Sequence, residues 1–243
     1  MTTKTMSKAV RRRWWWGLWI LLAVSAVGFA VHSAAPGLTG DREASQIPLD
    51  PDVPPHWLTL VVHGIPGCLA LMTGPFQFVG RLRTRYPKAH RIAGRVYMGS
   101  VLVGAIAAFF AATFSLSGFS VQVAFYILAV AWTYTLVRAY LTIRRGEVQL
   151  HRIWMIRNYA LTFAAVTLRG YLLGGLALWQ AFPSLTFADI YHAAAWSSFT
   201  VNVLVAEYFI INRTLRPLAR RAATPAVTPT GSSHALDTAA VKR

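Results

Sequence analysis

The sequence has few of the residues that soluble chemistry relies on. It holds one cysteine, Cys68, and eight Asp and Glu against 24 Lys and Arg in 243 residues. A single cysteine excludes an intramolecular disulfide and a cysteine-built metal cluster. Charged residues make up only 13%, where about 25% is usual for soluble domains. Also missing are a Gly-rich phosphate loop after a strand, an H-E-x-x-H helix and a Ser/His/Asp order that could form a triad. No catalytic class is therefore legible from a motif, and whether the chain is an enzyme stays open. The hydrophobic share of 55% and mean hydropathy of +0.44 exclude a disordered chain.

Long apolar runs fill the space. A helix needs about 20 mostly apolar residues to cross the hydrocarbon. Six segments meet this: 14–34, 57–80, 94–116, 119–142, 153–181 and 188–212. The expected fold class is all-α, a polytopic membrane bundle of six transmembrane helices. Residues 1–13 form a basic terminus, 14–213 the membrane domain, and 214–243 a disordered tail rich in Pro, Thr and Ser. The first span starts with Trp14–Trp16 after Arg11–Arg13, an interfacial pattern. Its small residues Ser33-Ala34-Ala35 also fit a signal-peptide cleavage site, but the apolar run is longer than usual, so an uncleaved anchor is expected.

The formal charge of +16 has two readings, nucleic acid or membrane orientation. Its distribution decides between them. All the basic residues except Arg42 and Arg169 fall in the N-terminal segment, the loops after the second and fourth spans, and the C-terminal tail. With six spans these lie on one side. The positive-inside rule then puts both termini in the cytoplasm, next to anionic inner-leaflet lipid. No nucleic-acid partner is implied. A redox or membrane-protein partner remains open.

Ionisable residues within spans are functional candidates by default. His63 and His192 lie near the starts of the second and sixth spans, about 9 Å and about 6 Å deep at 1.5 Å per residue. His90 and His151 precede the third and fifth spans at the cytoplasmic end. Two layers of paired histidines suit two b-type haems, each held by axial imidazoles. Gly67 and Gly74 share the His63 face, and Gly94 and Gly104 share the His90 face, where a flat ring would need close backbone approach. Arg169 falls within the fifth span and needs an anion; Arg169, Arg91 and Arg152 would neutralise propionates.

Blander roles compete. His90 and His151 could contact headgroups, His32 and His56 could snorkel at the interface, and the glycines could simply permit helix packing. An alternative function is a binding or transport protein with one polar cavity of His63, Arg169, Asn158 and Glu207 for a small anion, lipid or quinone. A third is an accessory subunit without a cavity. Glu207 is also placed to pair with Arg157, and Asn202 needs a partner. A faint echo relates His90-Arg91-Ile92 with Tyr97 to His151-Arg152-Ile153 with Tyr159.

The segments HGIPGCLALMTGPFQF (63–78), HRIAGRVY (90–97) and HRIWMIRNYALTFAAVTLR (151–169) resemble a bacterial family of predicted inner-membrane proteins. The likeness covers residues 57–213 and implies a membrane location without an activity. The two-depth histidine pattern is also loosely similar to transmembrane diheme cytochromes b of the ascorbate ferrireductase type. There the ligands sit on four consecutive spans; here the fourth span has no histidine.

Overall fold

The computed structural model describes residues 8–43, 49, 53–179, 181, 182 and 184–216; the side chains of 8–12 and 15 are outside the description. The expected disordered tail therefore lies outside the described residues from 217 onward. Among the described residues there is no strand. The α-helices are α1 (Lys8–Thr39), α2 (Pro55–Gln77), α3 (Gly80–Arg85), α4 (Pro87–Thr113), α5 (Phe119–Arg144), α6 (Val148–Thr162), α7 (Ala164–Trp179) and α8 (Phe187–Ile210). A π-helical turn, Ile211–Leu215, extends α8. Six helical stretches are long and apolar enough to cross a membrane, α6 and α7 together making one.

The sequence's proline and glycine signals explain several of these boundaries. Pro55 and Pro87 occupy first-turn positions, where proline's fixed φ favours a helix start. That moves the third span's start back to Pro87, so His90 lies within α4 rather than ahead of it. Likewise His151 lies inside α6, which begins at Val148. The short α3 in the first basic loop was not anticipated. Gly118 turns the chain between α4 and α5 at φ +89°. Thr186 and Asp189 form a reciprocal cap on α8.

The fifth span is not one helix. It breaks at Phe163, between α6 and α7. Thr162 Oγ1 donates back to the Asn158 carbonyl at 3.0 Å, a contact type that bends helices.

Neighbouring helices run antiparallel. Paired contacts climb one helix as they descend the next: His63 with Gly104, His56 with Phe114, and Gln77 beside Gly94. α8 lies antiparallel to α6 and α7, with Glu207 opposite Arg157 and Ser198 opposite Thr167. Small residues permit this close approach. A Cβ on Gly74 would overlap the Tyr159 ring, and one on Gly104 would touch Trp132. The core gathers Tyr97, Val101, Trp132, Leu136, Tyr159 and Phe199. Large apolar side chains also cover the outside, Phe119 at 80% and Tyr208 at 72% exposure. Such continuous apolar exposure fits a surface facing lipid, not water.

Candidate functional site

A buried polar network joins α4, α5 and α6. Tyr97 Oη donates to Asn158 Oδ1 at 2.7 Å and contacts Thr162 Oγ1 at 3.0 Å. Trp132 Nε1 donates to Thr162 Oγ1 at 2.8 Å. Asn158 Nδ2 donates to the Trp132 carbonyl and to Thr135 Oγ1, both at 2.9 Å. Each strong donor in this group has an acceptor, so the network costs no unpaired polar group and fixes Trp132 and Thr162 in place.

A cavity of about 280 Å³ rests on Trp132 and Thr162, in the half of the bundle away from the basic loops. Its walls come from α1, α2, α4, α5, the α6–α7 span and α8. Most of the wall is apolar or aromatic, including Phe29, Trp57, Leu71, Phe125 and Leu168. The polar lining includes His56, His63, Ser33, Arg169 and Tyr191, with Ser115, Ser117, Thr162 and Ser198.

Each of these has a definite setting. His63 Nδ1 meets the Gly104 carbonyl at 2.9 Å, and its ring lies edge-on to Trp132 with centroids 6.3 Å apart. A carbonyl only accepts, so Nδ1 carries the proton and Nε2 is left for another partner. Arg169 lies within electrostatic reach of both His63 and Tyr191. Its guanidinium sits 5.5 Å from the centroid of the Phe29 ring, across from α1. Among the described residues no carboxylate pairs with it; the ion pair found there joins Arg157 to Glu207. Ser33 Oγ is buried and has no hydrogen-bond partner among the described residues. His56 is 1% exposed, against Phe114.

The expected residues divide between this site and other places. His63, Arg169 and Gly67 line the cavity. Asn158 belongs to the network beneath it, and Glu207 forms a two-pronged pair with Arg157 (2.5 and 3.0 Å) farther towards the basic end. The cavity set of His63, Arg169, Asn158 and Glu207 is therefore corrected to its first two members: satisfied partners hold the other two elsewhere. Asn202 finds the Ala160 carbonyl and Thr167 Oγ1.

His192 faces the α4–α5 turn, its Nε2 3.3 Å from the Ser117 carbonyl. Among the described residues no hydrogen bond or ring contact joins it to His63. His151 Nδ1 meets the Ala139 carbonyl at 2.8 Å. His90 and His151 lie within electrostatic reach of one another, and His90 Nδ1 is buried without a hydrogen-bond partner. Arg91 and Arg152 are exposed. A Cβ on Gly94 would come 3.3 Å from Gln77 Oε1, so Gly94 serves packing against α2, whereas Gly67 has open space beside it. Among the described residues no three His, Cys, Asp or Glu side chains converge on a metal site.

Sequence reading missed His56, Ser33, Trp132 and Tyr191. His56 looked interfacial because it follows Pro54-Pro55. The other three carry no local signal, since only tertiary packing brings them to the cavity.

A family model described as a predicted membrane protein, DUF2306, matches residues 60–210, more than half of the chain. No curated protein and no solved structure matches.

Proposed function

The chain belongs to the DUF2306 family of predicted membrane proteins, and from that premise we propose that it is a membrane-embedded binding protein whose cavity takes up a small amphipathic molecule. It is a multi-pass membrane protein. Its basic loops face the cytoplasm of a bacterial inner membrane, against anionic lipid, and the cavity opens in the other half of the bilayer. One observation carries the reading: a cavity with mostly apolar walls is lined by Arg169, His63 and Ser33. Ligand sites combine such walls with a few convergent polar groups. A volume near 280 Å³ accommodates a head group and part of one chain.

Trp57 and Trp132 in the wall supply the test. A neutral brominated chain, 11-bromoundecanol, should quench tryptophan fluorescence saturably in the detergent-solubilised protein. Gly67→Leu should abolish the saturable component, because Gly67 faces open cavity space that a leucine side chain fills. Equal quenching curves for the two proteins would reject the cavity as the site.

The second reading is electron transfer through b-type haem. It is supported by His63 and His151, which both give Nδ1 to a helix carbonyl and leave Nε2 free. Metal-bound histidines are commonly oriented this way. The donor set fits only in part, because the Nε2 of His192 is engaged with the Ser117 carbonyl. A reduced-minus-oxidised visible spectrum of protein made with ample haem decides: a b-type α-band supports this reading, and a flat spectrum removes it.

A further inference from the structure

We propose that the head group held in the cavity is an anionic acid, a carboxylate or phosphate, gripped by the Arg169 guanidinium; the inference rests on the cavity being the binding site. Arg169 lines the cavity with no carboxylate partner among the described residues, while Arg157, the other arginine of the fifth span, has Glu207. A cation in an apolar membrane interior requires an anion or a water-filled path. The surroundings add donors and not negative charge. Ser33 Oγ is buried with no hydrogen-bond partner among the described residues, and Tyr191 lies within electrostatic reach of the guanidinium. Among the described residues no Asp or Glu lines the cavity.

The arrangement recognises charge and geometry together. A guanidinium presents a planar fork of N–H donors that matches the two oxygens of a carboxylate or phosphate. Phe29 covers the guanidinium from α1, which keeps water from one face and holds the fork in orientation. Leu71, Leu168 and Phe125 offer apolar wall for the chain. A neutral alcohol of the same length would bury the same chain without satisfying Arg169. A quinone would offer uncharged carbonyl oxygens and form weaker hydrogen bonds than an ionised acceptor.

The test compares 11-bromoundecanoate with 11-bromoundecanol, two chains that differ at the head, by tryptophan quenching of the full-length protein in detergent at pH 8. The acid should bind at least about tenfold tighter, the difference a charge-assisted pair provides over a neutral one. Arg169→Gln should bring the two within about twofold, and Arg169→Lys should retain part of the preference. Alcohol binding by Arg169→Gln checks that its cavity is intact. Equal affinities for acid and alcohol in the wild type, or a preference that survives Arg169→Gln, would overturn the acid assignment and leave the binding site standing. Failure of both probes to quench saturably would overturn the site as well. Competition identifies the source: displacement of bromoundecanoate by palmitate points to free acids, and displacement by phosphatidylglycerol in nanodiscs points to lipid head groups. Both support the anionic head.

Discussion

Asn158 is fully buried and makes three side-chain hydrogen bonds, to Tyr97, Thr135 and the Trp132 carbonyl. Asn158→Leu would leave Tyr97 and Thr135 short of a partner and should cost about 1–2 kcal/mol, since buried polar groups in membranes recover only part of a lost bond. Thermal unfolding in detergent should show a lower midpoint, with the cavity's ligand affinity falling as Trp132 and Thr162 loosen. An unchanged midpoint would mean the network carries no stability. Arg169 and the Arg157–Glu207 pair were legible because a charge in an apolar run demands a partner whatever the fold. His56 and Ser33 were not, because a histidine near a helix start and a serine among small residues look the same whether they face lipid, solvent or a cavity.

At the scale of elements, apolar length and turn chemistry set the helices. The Ser115–Gly118 turn was readable from its composition, and Gly118 occupies φ +89° and ψ 159°, a region nearly restricted to glycine. Gly118→Ala should therefore cost about 1–3 kcal/mol through backbone strain alone, since the new Cβ would meet His192 Nε2 at an ordinary 3.7 Å. Thermal midpoints of the two proteins check this; equal midpoints would show that the turn relaxes freely. The break at Phe163 was not readable. No proline or glycine marks it, and Thr162 is held there by Trp132 from another helix. Tyr97 of the third span and Tyr159 of the fifth meet with ring centroids 6.4 Å apart.

For the whole molecule, the positions of the arginines determined the expected topology, and short antiparallel connections give the bundle one strongly basic end. Cysteine labelling tests the orientation against a low background, because Cys68 is buried. In intact cells an impermeant maleimide should label Leu116→Cys at the α4–α5 turn and should reach Arg145→Cys only after permeabilisation. The reverse pattern would invert the topology. Sequence reading offered a cavity at His63 and Arg169 but not its wall, which is drawn from six spans, each contributing a few residues with no shared spacing. The most direct measurement of the central claim is native mass spectrometry of the wild-type chain and Gly67→Leu released from gently solubilised membranes. The binding account predicts a wild-type population carrying one small-molecule adduct that is missing from Gly67→Leu. A wild-type chain free of adduct, or an adduct equally abundant on both proteins, would contradict it.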